Sequence, residues 1–384
     1  MKLLTTTIAA VMATGAAYAA EPVLPKSMVW SAYDLGSSGH AEATGIANAL
    51  KKNYNTRIRI VPSGTSIGRM LPMVTGKVKY GYLANEAYFA AEGTYDFATE
   101  QWGPQNIRIV MGRVAAVGMA VAKDTGVTQM SDLKGKRIGF VKGNPSVNVK
   151  NIAYIAMGGL TMDDIEPVWF GSYSAMKTAL LADQLDAFGS VPGSANMREI
   201  EASPRGLVWP PFPPENEDGW KKVTDVVSFA APMLESRGAA LSKENPVWLM
   251  GYRYPMITVY QNAVTADEVY NLMKAIDMTF NDYKNTTPSS SDWAIDKAGR
   301  PPYDAPTHDG AIRYMKEKGL WRDQDQAWHD NRLARLNKLL EAWEVAQGEF
   351  HDYRTAERAK GNKISAKEEW PAVWEAARLK ALGM

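Results

Sequence analysis

The sequence has 384 residues, with 43 lysines and arginines against 42 aspartates and glutamates, and no cysteine. A balance so close to neutral argues against a nucleic-acid binder, which concentrates positive charge. The missing cysteine excludes disulfides, thiol chemistry, zinc fingers and iron–sulfur clusters, while the length suffices for two domains of ordinary size.

Met1-Lys2-Leu3-Leu4 sets one positive charge before an apolar and small-residue run through Ala17, with no acid before Glu21. Ala17-Tyr18-Ala19 then places small residues at the two positions a signal peptidase reads. Residues 1–19 are therefore expected to be a secretory signal peptide, cleaved after Ala19 or Ala20; a buried helix or strand is the alternative. The run falls short of the ~20 apolar residues needed to span a bilayer. An exported chain without cysteine fits the bacterial periplasm. Removing Lys2 leaves 42 basic residues against 42 acidic ones, a formally neutral mature chain.

Strands are predicted at 28–33, 57–61, 79–83 and 107–114, separated by loops and helices, the second strand breaking at Pro62. A similar unit follows, with strands at 117–122, 137–141, 166–170 and 186–191 and a Pro-rich connector at 209–214. From about Val259 the pattern turns helical, opening on the capping box Thr265-Ala266-Asp267-Glu268. The tail carries Trp328, Leu336, Leu340, Trp343 and Phe350, then Trp370 and Trp374, at helical spacing that reads as core. Repeated strand–loop–helix order predicts an α/β sheet.

Several strand-to-helix loops are rich in hydroxyl and amide residues: Ser63, Thr65 and Ser66; Asn144, Ser146 and Asn148; Ser172 and Ser174. A helix start attracts anions through its unpaired N–H groups and dipole, although each loop alone reads equally as a cap. Three such loops in two α/β units suggest a ligand at the carboxyl ends of the strands. Arg69 and Lys142 lie within a turn of these loops, as carboxylate partners or as surface charges. Gly64-Thr65-Ser66-Ile67-Gly68 matches G-x-S-x-G, so a serine hydrolase at Ser66, with His308 as base, is the enzymatic alternative. The four histidines show no metal-ligand spacing and no Walker loop occurs, so no metal or cofactor is expected.

The ordered blocks Asp132-Leu133-Lys134-Gly135-Lys136-Arg137-Ile138, Leu160-Thr161-Met162-Asp163-Asp164-Ile165, Asp186-Ala187-Phe188 and His308-Asp309-Gly310-Ala311-Ile312-Arg313-Tyr314 resemble the TAXI-type solute receptors of TRAP transporters. The resemblance runs from about Val29 to Trp321. It implies an α/β, two-lobed periplasmic-binding-protein fold (type II-like) with a helical C-terminal extension. Lobe 1 is expected at 27–115 plus 255–322, lobe 2 at 116–230, a hinge connector at 231–254 and the extension at 323–384.

The implied function is that of a non-enzymatic monomeric receptor. It would hold a small carboxylate between the lobes and deliver it to a membrane permease driven by an ion gradient; an ATP-driven importer is the other transport reading. Binding positions implied by the resemblance are Ser37, Ser38 and His40 in the first loop, the Ser63–Ser66 loop, Asn85, the Asn144–Asn148 loop, Tyr173, and the turn Pro192-Gly193. Tyr33, with Tyr173 and His40, would shape the cleft. Thr65 replaces the family's usual second glycine and Arg69 its usual asparagine. The first loop is shorter and has His40-Ala41 in place of a tyrosine.

Overall fold

A computed structural model describes residues 21–384; the expected signal peptide, residues 1–19, lies outside them. The first strand, β1 (Ser27–Tyr33), is mostly buried because it is paired on both edges. After α1 (Ser38–Tyr54) comes its parallel partner β2 (Arg57–Ser63), and after α2 (Ser66–Val74) the other, β3 (Tyr80–Leu83), followed by α3 (Glu86–Glu92). β2 continues through Pro62 to Ser63 instead of breaking there, with Pro62 opposite Ala32. It is the edge strand, where a missing N–H leaves no ladder bond unmade.

β4 (Ile107–Ala122) is one 16-residue strand, not the two expected from the sequence. The second α/β unit comprises β5 (Arg137–Val141), α4 (Pro145–Met157), β6 (Glu166–Phe170), α5 (Tyr173–Leu181), β7 (Ala187–Ser190), α6 (Ala195–Ala202), β8 (Leu207–Val208) and α7 (Glu217–Val226). β9 (Ala231–Glu235) and β10 (Val247–Tyr260) follow, so most of the stretch expected to be a connector is sheet. The strand order is β2-β1-β3-β10-β4-β7-β5-β6, with β8 on β4 and β9 on β10.

β4 and β10 run antiparallel to each other and pass through both halves. β10 pairs with β3 at Met256–Val259 and with β9 at Val247–Gly251. The register shift between Arg253 and Met256 falls between these pairings, where the strands cross from one lobe to the other. Continuous pairing with β10 keeps β4 extended through Ala115-Ala116, where its small residues look like a break in the sequence.

Returning to the first lobe, the chain forms α8 (Ala266–Met278), α9 (Phe280–Tyr283), α10 (Ile295–Ala298) and α11 (Asp309–Glu317). Thr265 and Glu268 form the expected capping box. The tail is a 37-residue helix, α12 (Asp323–Ala359), and α13 (Ala366–Leu382). They close a second apolar cluster in which the Trp343 ring meets Trp370 and Trp374 edge-on, each at 4.8 Å. Trp374 Nε1 donates to the Gly93 carbonyl at 2.6 Å. Glu92 beside it accepts from Arg335 and Arg378 and pairs with Arg332. Burial alone would raise the Glu92 carboxyl, but the three arginines outweigh it and hold it below the usual range.

Candidate functional site

The cleft between the lobes opens at the carboxyl ends of β1, β3 and β7. Parallel strands end there with backbone groups and helix starts converging on one point, which is where ligands bind in open α/β sheets. The first lobe contributes Tyr33, Asp34, Ser37, Arg69 and Ala84. From the second come Ser146, Val147, Lys150, Asn151 and Tyr154 of α4, Tyr173 of α5, and Gly189 to Val191. The crossing strands add Val117, Tyr252 and Tyr254. Burial raises the hydroxyls of Tyr33, Tyr154, Tyr173, Tyr252 and Tyr254, so the tyrosine lining is uncharged at neutral pH.

Ser146, Lys150 and Tyr154 lie four residues apart on one face of α4, which directs all three inward. Lys150 Nζ donates to the Tyr252 hydroxyl at 2.6 Å, Asn85 Oδ1 at 3.1 Å and Ser146 Oγ at 3.3 Å, and lies 4.6 Å from the Tyr252 ring centroid. No carboxylate among the described residues forms an ion pair with it. Burial pushes Lys150 down to about 7, against the opposing pull of Glu86 and Asp304. Asn85 links it to Asp304, donating through Nδ2 to Oδ2 at 2.8 Å. Burial pushes Asp304 up to about 7, although Asn85, Arg332 and Lys150 favour its charged form.

Arg69 is differently placed. Its Nε meets Glu86 Oε1 at 2.7 Å, Nη1 donates to the Ser63 carbonyl at 3.0 Å and Nη2 to Ser66 Oγ at 3.3 Å. Its guanidinium carbon sits 4.4 Å from the Tyr33 ring centroid. Both partners of the Arg69–Glu86 pair are buried, so this arginine braces the wall with its charge already matched.

The two lobes touch directly across the cleft. Ser66 Oγ donates to Asn144 Oδ1 at 2.7 Å, and Asn144 Nδ2 donates to the Gly64 carbonyl at 3.2 Å. The Gly64 carbonyl also accepts from the Tyr173 N–H at 3.2 Å, and Asp34 Oδ2 accepts from the Ser174 N–H at 3.2 Å. The Ile67 N–H reaches the Gly143 carbonyl at 3.1 Å.

Of the residues expected to bind, Tyr33, Ser37, Arg69, Ser146 and Tyr173 line the cleft, with Asn85 directly behind Lys150. Several others are elsewhere. Ser38 to His40 already belong to α1, capped by Ser37; Ser38 is buried in the first turn and His40 lies in an outer groove with Thr44 and Asp282. Lys142 is exposed in the turn after β5. Ser63 bonds within its own turn and Thr65 caps α2. Ser66 and Asn144 bond each other, while Asn148 bonds both the N–H and the carbonyl of Val141. Pro192 accepts from the Ala239 N–H and Gly193 lies near Ser289, and neither lines the cleft.

The hydrolase geometry is not met either: Ser66 has Asn144 and Arg69 as partners, and His308 Nδ1 instead accepts from the Gly310 N–H as the cap of α11. Among the described residues, no group of three or more His, Asp or Glu is placed to hold a metal.

Lys150, Asp34, Tyr154, Tyr252 and Tyr254 were missed from the sequence. The four-residue spacing from Ser146 through Lys150 to Tyr154 was the one available signal for the first helix face.

Two α/β lobes on a shared pair of crossing strands, with a polar cleft between them, define a two-lobed binding-protein fold. The chain belongs to the NMT1-like family, whose model matches residues 38–319. A search of curated proteins returns no match. Among solved structures, a Bordetella bronchiseptica RB50 protein is 17% identical, covering 76% of this chain and 89% of its own, at a TM-score of 0.45. The periplasmic aliphatic sulphonate binding protein SsuA from Escherichia coli is 14% identical, covering 91% and 99%, at 0.40. A binding protein component of an ABC phosphonate transporter from Pseudomonas aeruginosa is 11% identical, covering 93% and 96%, at 0.43.

Proposed function

We propose that this protein is an exported periplasmic receptor that closes its lobes on a small organic acid and hands it, without chemical change, to a membrane permease. The observation that carries the reading is Lys150, a buried cation facing the cleft with hydroxyl and amide partners but no carboxylate. A buried charge calls for a counter-charge, and an acid entering from solvent supplies it. The Ser146 contact is the longest of the three and faces the cleft, so the acid takes its place. Ser37, Tyr33, Tyr173, Ser190 and Asn151 surround the remainder of the ligand. Arg69 and the Ser66–Asn144 bond hold the walls.

The permease is proposed to be of the ion-driven TRAP type on the resemblance of the ordered sequence blocks. The ATP-driven reading is separated from it by uptake in cells: collapse of the ion gradient stops the first, and vanadate stops the second. The binding reading is tested by thermal shift against a panel of organic acids, because a ligand of the native state raises stability by mass action. A concentration-dependent rise that disappears in Lys150→Met supports it. No rise with any acid overturns it.

A further inference from the structure

We infer that the cleft selects singly charged organic acids with an apolar body and rejects acids carrying two negative charges. The inference rests on the receptor reading and names the substrate class of the same site. It follows from which charges face the cleft and how each is already matched.

Two cations reach the cleft, and only Lys150 has its charge unmatched. Arg69 is held by Glu86, and its other two nitrogens donate to Ser63 and Ser66. One monoanion therefore completes the electrostatics at Lys150 and leaves no second cation to receive another. The remaining ionisable groups oppose a second negative charge. Asp34 lines the cleft, accepting from the backbone N–H groups of Leu35 and Ser174. Asp304 stands behind Asn85, and Glu86 keeps its buried Oε2 without a hydrogen-bond partner. A second carboxylate would thus be desolvated beside Asp34 with no free cation to receive it.

The rest of the wall is built for apolar contact. Tyr33, Tyr154, Tyr173, Tyr252 and Tyr254 present rings, and two of their hydroxyls are already bonded, Tyr173 to Ser190 and Tyr252 to Lys150. Rigid aromatic faces favour an alkyl or aryl body, while the few polar groups fix its orientation.

The test is calorimetric titration of the purified protein with hexanoate, hexanesulfonate and adipate. The first two have six carbons each and a single negative charge; adipate is hexanoate with its terminal methyl replaced by a second carboxylate. The expected result is binding of one or both monoanions with adipate weaker by on the order of tenfold or more, as a buried unmatched charge requires. Lys150→Gln should weaken the monoanions by a similar factor. Binding to carboxylate alone or sulfonate alone names the head group within the proposed class. Adipate equal to or tighter than hexanoate overturns the selectivity and leaves the receptor reading standing. Silence of all three probes, with no acid in the wider thermal-shift panel binding, overturns both. Lys150→Gln with wild-type hexanoate affinity removes Lys150 as the determinant: it overturns the inference and the Lys150 assignment behind the proposed function, while binding of an acid itself stands.

Discussion

The Ser66 hydroxyl donates to Asn144 Oδ1 at 2.7 Å, tying the start of α2 in one lobe to the start of α4 in the other. Both residues were expected to reach a ligand, and each instead reaches the opposite loop. Ser66→Ala leaves Asn144 Oδ1 and one Arg69 nitrogen without this partner, at a cost of about 1 kcal/mol to the closed state. The expected outcome is several-fold weaker solute binding by calorimetry, with no ester hydrolysis by either form. Hydrolysis by the wild type that Ser66→Ala abolishes would revive the catalytic alternative.

Affinity for an acid should fall as pH rises past about 7, the value to which burial pushes Lys150. The sign follows from linkage: the anion binds the protonated amine, so binding raises the Lys150 pKa and takes up a proton. Affinity is then flat below that pH and declines by up to about tenfold per unit above it, until the raised pKa of the complex is reached. Ionisation of Asp304, itself pushed up to about 7, favours the charged lysine through Asn85 and also repels the anion, so its two effects on the slope oppose each other. Glu86 also favours the charged lysine and Arg69 disfavours it. Titrations in buffers of different ionisation enthalpy read the proton uptake directly, and release of a proton on binding would contradict the assignment.

Arg69→Met should damage stability before it damages recognition. It leaves Glu86 buried without its cation, a loss of roughly 3–5 kcal/mol for a broken buried pair. The double variant Arg69→Met with Glu86→Gln should recover much of that loss, because the uncompensated charge is gone. Thermal melts of the single and double variants decide it; a double variant no more stable than the single would show that packing against Tyr33 dominates.

Gly103 should be intolerant of any side chain. Its φ is +66°, and a Cβ there would collide with the Trp343 indole of α12. Gly103→Ala is expected to lose about 1–3 kcal/mol from left-handed strain and overpacking. Limited proteolysis should then cut within the tail sooner than in the wild type, where α12 and α13 rest on the first lobe through Gly93 and Glu92. An unchanged digestion pattern would mean that this contact does not hold the tail.

Much of the fold was legible because the signals were local. Strand, cap and helix succeed one another from Ser27 through Leu83, and the tail tryptophans repeat at helical spacing. The crossing strands were not legible. β4 passes through Ala115-Ala116 and β10 through Gly251 and Pro255, residues that look like interruptions until the two strands pair.

The site divided in the same way. Tyr33, Ser37, Arg69, Ser146 and Tyr173 sit at or beside strand-to-helix loops, where the sequence itself points. Lys150 and Tyr154 lie one and two turns further along α4, and Tyr252 and Tyr254 arrive from a strand distant in sequence. His40 and Lys142 were adjacent to the right loops, but adjacency does not set direction: one is turned outward on α1 and the other stands in an exposed turn.

The central claim is that Lys150 receives the acid, and a crystal structure of the protein with the best-binding acid of the panel tests it most directly. The account predicts an oxygen of the anion within about 3 Å of Lys150 Nζ, with the Arg69–Glu86 pair intact and the body of the ligand among the tyrosines. An anion seated on Arg69 with Glu86 displaced, on Lys142, or outside the cleft would contradict it.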